Sequence, residues 1–311
     1  MSKKKTVIEY RQYDLSPDFP VLLLTGSRWR ISDKVSEHLH FHNCLEIGIC
    51  HADSGTMIFE GVSMPFGAGD VTCVPRHVTH TTYSSPGMGS LWSYLFIDPC
   101  ELFQDMFQDS ASELDIPFSS PHNFCHIMSQ ADYPQIYFLA TSVEREMKCR
   151  KANYQTCVKG LLMALCIELR RIQKQEQDAA DLALTPSGRL MISPALDYIH
   201  QNYMQQFSIE ELADLCHISV THFRRMFHDI MGTSPLDFIN STRIEKACTL
   251  LKSTEKSILS ISEQVGYHSI SSFNRYFIKV MGISPRAYRN SRPASADGTT
   301  RQAILEYSGW K

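Results

Sequence analysis

No apolar run in this chain is long enough to cross a bilayer, which takes roughly 20 such residues in a helix. The basic N-terminus, MSKKKTVIEYRQYD, has no apolar stretch of the signal-peptide kind, so the expectation is a cytoplasmic protein with no membrane partner. The ten cysteines, at 44, 50, 73, 100, 125, 149, 157, 166, 216 and 248, include no C-x-x-C pair. That spacing supports neither a disulfide framework nor a cysteine zinc site, and the thiols read as reduced core residues. Charge of one sign is not in excess either: the formal net charge is −3, so the whole chain offers no electrostatic attraction to nucleic acid. What remains, at 311 residues, 43% hydrophobic and 20% charged, is a globular chain of two domains.

From Phe207 to Asn290 the chain says nearly the same thing twice, about fifty residues apart. FSIEELADLCHISVTHFRRMFHDIMGTSPLDFIN is followed by KSILSISEQVGYHSISSFNRYFIKVMGISPRAYRN. Phe223 aligns with Phe273, Arg225 with Arg275, Phe227 with Phe277, and Gly232 with Gly282, and the second copy has one extra residue near Tyr267. Each copy opens on a short amphipathic helix, through Ile209, Leu212, Ala213 and Cys216 or through Ile258, Ile261 and Val265. Ser219 and Ser269 are placed to cap a second helix, with inner faces Phe223, Met226, Phe227, Ile230 and Phe273, Phe277, Val280; Gly232 and Gly282 end it.

Two short helices joined by a tight turn, the second with exposed polar and basic residues near its start, are the helix-turn-helix pattern that lays a recognition helix in the DNA major groove. A plain helical bundle would account for one such pair, whereas the same arginine two residues after the same phenylalanine in both copies favours DNA. Ser234-Pro235 starts a connecting helix of about seventeen residues, roughly 25 Å long, close enough to the ~34 Å DNA turn for both copies to face one side of a duplex. Arg224, Arg225, Arg243, Lys246, Lys252, Lys256, Arg275, Lys279, Arg286, Arg289 and Arg292 gather here, where phosphate contacts would use them.

The doubled module, with RMF, MGTSP, VGYHSISSFNRYF and GISPRAYR, resembles the C-terminal DNA-binding domain of the AraC/XylS transcriptional regulators. On that resemblance the base-contacting residues fall on Thr221, Arg224 and Arg225 in the first recognition helix and on Ser271, Ser272, Asn274 and Arg275 in the second. Thr221 is small where some relatives carry a large side chain, which bears on the target sequence and not on the docking mode.

Residues 20 to 100 read as short strands between glycine, proline and polar turns, the pattern of a small β-barrel or jelly roll. HFHNCLE puts His40, His42 and Glu46 on one face of a regular strand, with Phe41, Leu45 and Ile47 on the other, and GAGDVTCVPRHVTH supplies a turn, a strand and His80. These two stretches resemble the two cupin motifs, and a cupin-like domain before a doubled helix-turn-helix is an AraC-family arrangement. In metal-dependent cupins the matching residues bind an ion, so His40, His42, Glu46 and His80 are candidates for a divalent metal, with ligands that suit zinc, iron, manganese or nickel. They are equally candidates for the lining of an organic effector pocket, and no cofactor is required. Trp92 and Tyr94, alternate residues of a later strand, stack on an effector ring or pack the core.

Helical stripes follow, Ile136, Leu139, Ala140, Val143, Met147 and then Val158, Leu161, Leu162, Leu165, Leu169, an antiparallel pair that packs on the barrel or on its copy in a homodimer; the family resemblance favours the dimer. The expected fold is therefore α+β: a cupin-like barrel over 1–130, a helical hairpin over 131–173, a linker over 174–190, an all-α double helix-turn-helix domain over 191–292 and a flexible tail over 293–311. The function read from this is that of an effector-responsive transcription activator of a metabolic operon and not an enzyme, with promoter DNA, RNA polymerase and a small molecule, a sugar among the candidates, as partners. The alternative is a metal-dependent cupin enzyme with a helical appendage.

Overall fold

The computed structural model describes residues 7–35 except 12, 14, 17 and 18, then 38–103, 126–179, 191–290 and 304–305. The chain divides into two compact units, Met1–Leu190 with Gln302–Lys311, and Met191–Arg301.

The first unit carries β1 (Val7–Arg11), β2 (Val21–Leu24), β3 (Arg30–Ile31), β4 (His38–His42), β5 (Leu45–Ala52), β6 (Gly55–Phe59), β7 (Val62–Phe66), β8 (Val71–Val74), β9 (His80–Ser84) and β10 (Ser90–Ile97). A short helix α1 (Pro99–Leu102), β11 (Ile127–Met128), the hairpin α2 (Pro134–Cys149) and α3 (Tyr154–Ala179), and β12 (Ile304–Leu305) complete it. One sheet runs β1-β4-β9-β6-β7 and the other β11-β8-β5-β10-β2-β12, with β3 also on β10.

Alternation along the second sheet explains why its strands read as unbroken apolar runs: both faces are covered. Leu23, Ile47, Ile49, Cys73, Leu95 and Ile97 pack with Ile136, Ala140 and Val143 of α2 and with Val158, Leu162 and Leu165 of α3. Their neighbours Leu22, Leu24, Cys50, Val74, Trp92, Tyr94 and Phe96 pack with Met57, Phe59 and Phe66 of the first sheet. A buried joint fastens the hairpin as well. Glu144 of α2 accepts from Ser93 Oγ at 2.7 Å and Lys148 Nζ at 2.5 Å, with His51 Nε2 at 3.4 Å. Burial opposes its charge, but those three groups outweigh burial and hold the carboxyl at about 2.

The β-rich domain expected from the sequence takes the form of two facing sheets that do not close among the described residues. Two expectations are corrected here. The helix expected to stop at 173 continues to Ala179, into the proposed linker, whose remainder lies outside the described residues. No disulfide joins the described cysteines, yet Cys149 and Cys157 are exposed and not core, because they sit on the solvent side where the hairpin turns. Of the tail expected to be flexible, only Ile304–Leu305 is described, and it pairs in parallel with Leu23–Leu24. No helix among the described residues is long and apolar enough to cross a membrane.

The second unit is helical: α4 (Ser193–Asn202), α5 (Ile209–Leu215), α6 (Val220–Met231), α7 (Pro235–Ser253), α8 (Ile258–Gln264), α9 (Ile270–Met281) and α10 (Pro285–Asn290). Local chemistry sets the boundaries. Ser208 and Glu211 form a reciprocal capping box at α5, while Ser219, Ser234, Ser257 and Ser269 each accept from the backbone N–H three residues on. Gly232 and Gly282 end α6 and α9 in the left-handed region, at φ 69° and 73°.

Some of the basic residues gathered here have partners within the unit. Arg243 is buried on α7, donates to the carbonyls of Tyr203 and Gln205, both at 2.8 Å, and lies over the Tyr267 ring. Lys279 pairs with Asp237 at 2.6 Å, tying α9 to the start of α7, and Arg289 donates to the Lys256 carbonyl at 2.6 Å. Val280, expected on the inner face of α9, is exposed, and Met281 packs inward in its place. Arg243→Ala removes two charge-assisted bonds to buried carbonyls and should destabilise this unit by about 2–3 kcal/mol in urea unfolding. Loss of DNA affinity with unchanged stability would instead make Arg243 a phosphate contact.

Candidate functional site

Each recognition helix shows one polar face. On α6, Phe223 and Phe227 are fully buried, and the turn between them leaves Thr221, Arg224 and Arg225 exposed. On α9, Phe273 and Phe277 are buried in the same way, with Ser271 and Arg275 exposed and Ser272 and Asn274 half-buried. Ser272 gives its backbone N–H to the cap Ser269. Arg275 leans over the Tyr276 ring at 5.5 Å, and Tyr276 also meets Lys279. All seven residues proposed to read bases lie within the first two turns of their helices, where a helix entering the major groove meets base edges.

The turns before the two helices differ. His217 takes the left-handed conformation in the first, at φ 54°, and Gly266 in the second, at φ 91°. A Cβ at Gly266 would stand 2.8 Å from the Met204 carbonyl oxygen and 2.9 Å from that of Tyr203, so glycine is needed for this close approach. The extra residue of the second copy lets Tyr267 turn inward, where its hydroxyl donates to Asn240 Oδ1 at 2.8 Å.

The first unit holds a cavity of about 290 Å³ between its sheets, with His40, Glu46, His80, Tyr94 and Phe96 among its lining. His40 and His80 are register partners on β4 and β9, with ring centroids 4.1 Å apart. Glu46 reaches them from β5 in the opposite sheet, so the grouping spans the two layers. HFHNCLE is two strands and not the one regular strand expected, with Asn43 and Cys44 as the turn. That turn has a use: Asn43 exchanges two hydrogen bonds with the backbone of Tyr13, whose ring stacks on Phe96 at 3.8 Å beside the cavity.

Two of the expected cavity residues do not line it. His42 is fully buried, its Nδ1 bonded to the Cys44 carbonyl at 2.8 Å because the turn brings that oxygen back toward the ring, and its Nε2 lies 3.2 Å from Glu46. Trp92 is also fully buried; its Nε1 donates to Ser90 Oγ at 2.8 Å and its ring stacks on Tyr94 at 5.6 Å. Gly48 permits this stack, since a Cβ there would sit 3.2 Å from both rings and 2.3 Å from Thr72 Oγ1. Conversely, the lining includes Arg11, Tyr13, Trp29, Arg30 and Lys34, which no sequence signal marked. Pairing of β1 with β4 and of β3 with β10 is what brings most of them there.

The electrostatics of the floor follow from burial. Burial, then the neighbouring His80 and Arg11, push His40 well below the usual imidazole range, so it is neutral at pH 7. Burial works against the Glu46 charge, but the His42 and His80 side chains outweigh it and keep Glu46 ionised. Donor atoms of His40, Glu46 and His80 all lie within 4.8 Å of one another, a set that fits a divalent cation with three protein ligands. His42 is not in that set, because its ring is committed to Cys44 and Glu46.

Residues 212–291 match a family described as a helix-turn-helix domain, and the match spans both copies of the module. The second unit thus carries a helix-turn-helix domain of the kind found in transcriptional regulators. The AraC-type region is 37% identical over 102 residues to the MmsAB operon regulatory protein of Pseudomonas aeruginosa, covering 33% of each chain. A longer but weaker likeness, 24% over 257 residues, covers 82% of this chain and 88% of the transcriptional activator RhaS of an Enterobacter species. Among solved structures, the C-terminal domain of the response regulator yesN of Fusobacterium nucleatum is 31% identical, covering 31% of this chain and 94% of that one, with a TM-score of 0.30. The chain spans between a third and a half of the length of the first curated relatives it matches. Those relatives are named as transcriptional or operon regulators.

Proposed function

We propose that the chain is an effector-responsive activator of a metabolic operon, which reads promoter DNA with α6 and α9 and senses a small molecule in the cavity between its two sheets. The observation that carries this is the pairing in one chain of an AraC-type domain with a separate unit that encloses a polar-floored cavity. Strand β10 supports a link between cavity and hairpin: Tyr94 faces the cavity, while the adjacent Ser93 holds Glu144 of α2. A ligand that moves Tyr94 would therefore bear on the hairpin, and it can shift the balance between two arrangements only by its differential affinity for them.

In this reading the protein is a homodimer through α3, on which Leu161, Met163 and Ile167 are only half-buried, and it acts on RNA polymerase at the promoter. Two relatives named for operon regulation and for activation support that role. No cofactor is required; a divalent ion on His40, Glu46 and His80 is a second reading favoured by their spacing, and elemental analysis of untagged protein decides it.

The purified full chain, given a pool of random duplexes, should enrich one sequence, and its affinity for that sequence should fall steeply and linearly on a log–log plot against salt. Enrichment of no sequence would sink the assignment.

A further inference from the structure

We infer that the cavity takes a small organic anion, with a carboxylate or equivalent group at the mouth and an aromatic or short aliphatic body inside. This deepens the effector reading above, on which it rests for the consequence of binding. Among the described residues, three cationic side chains, Arg11, Arg30 and Lys34, belong to the lining, against a single carboxylate, Glu46. Glu46 has imidazole neighbours of its own on the cavity floor, His42 Nε2 at 3.2 Å and His80 Nε2 at 3.8 Å. At the surface Arg11 meets the exposed Glu9 at 3.2 Å, and Arg30 meets the exposed Asp53 at 3.8 Å and the Gly89 carbonyl. Exposed pairs of this kind are worth little and exchange readily for a ligand.

Guanidinium and ammonium groups only donate hydrogen bonds, so the mouth selects a ligand end made of acceptors, and a carboxylate matches the arginine fork in charge and shape. The walls select the rest of the molecule. Trp29, Tyr94, Phe96, Leu24 and Ile31 give a largely apolar lining, with Trp29 edge-on to Tyr94 at 6.0 Å. A polyol could bond the floor of His40, Glu46 and His80, but the hydroxyls it turns to the wall of Trp29, Tyr94 and Phe96 would lack partners there, at a cost of about 1–3 kcal/mol per buried group. The volume of about 290 Å³ is at the lower end for small-molecule sites, which fits a single ring or a chain of a few carbons.

Calorimetry and thermal melts on the full chain, with phenylacetate and octanoate beside phenylacetamide, octanamide and glucose, test the assignment. The carboxylates should bind and raise the melting temperature, the amides and glucose should not, and Arg30→Gln with Lys34→Gln should weaken carboxylate binding about tenfold or more. Unliganded melting of the double variant, unchanged from wild type, shows that its fold is intact. Equal or tighter binding of an amide or of glucose overturns the proposal, as does binding of none of the five, or carboxylate binding that the double variant leaves untouched. Carboxylate binding that depends on the rim but leaves DNA affinity unaltered supports the anion site and counts against the effector reading.

Discussion

Replacing Arg225 and Arg275 together by alanine should cut specific DNA affinity by about 2–6 kcal/mol, from some thirtyfold to more than a thousandfold, while leaving stability within ~0.5 kcal/mol of wild type. Each guanidinium is exposed at the second turn of its helix, on the face opposite a buried phenylalanine pair, so it has the reach to grip a guanine edge. The two lie in different helix-turn-helix copies, and losses at separate sites add. The salt slope should also fall by up to about one per charge removed if the groups meet phosphate as well. Gel-shift titrations against the enriched duplex and a scrambled competitor would read both quantities. If the double variant kept wild-type affinity and sequence preference, α6 and α9 would not be the reading helices.

Phe277→Ala should destabilise the second unit by about 3–5 kcal/mol, a large fraction of the 5–15 kcal/mol that holds a typical domain together. Its ring is fully buried, packs edge-on against Tyr288 at 5.7 Å and lies 5.6 Å from Phe273, and the neighbours belong to α7, α8 and α10, so the void cannot close by a small shift of one side chain. DNA binding should disappear with the fold. Ile278→Ala is the control: that residue is 49% exposed on the same helix and should cost within ~0.5 kcal/mol. Urea unfolding followed by circular dichroism separates the two, and equal effects would mean that the helix is rotated from the orientation described.

How much of this could be read from the residues differs between the two units. The helices of the second unit are written locally: a serine three residues before its backbone donor, a glycine at the left-handed end, phenylalanines four apart. Such signals act within one or two turns, so their positions in the chain are enough. The strands of the first unit gave their approximate places in the same way, but not their partners. Arg11 sits beside His42 because β1 pairs with β4, and His40 beside His80 because β4 pairs with β9.

The same division holds for individual side chains. By itself the sequence determined that there are two recognition helices, which of their faces is polar and where they end, since helical periodicity and capping depend on near neighbours only. Through the resemblance of two short motifs it also grouped His40, His42, Glu46 and His80 at one site, of which His40, Glu46 and His80 line the cavity. Only the tertiary structure decided that His42 turns to the Cys44 carbonyl, that Trp92 is sealed in the core while Tyr94 reaches the cavity, and that Arg243 is buried against the Tyr203 and Gln205 carbonyls while Lys279 pairs with Asp237. Each of those outcomes depends on groups distant in the chain, a carbonyl, a ring or a carboxylate brought near by sheet pairing or helix packing. A charged or aromatic side chain takes whichever partner removes it from water at least cost, and no periodicity in the sequence records which partner folding will put within reach.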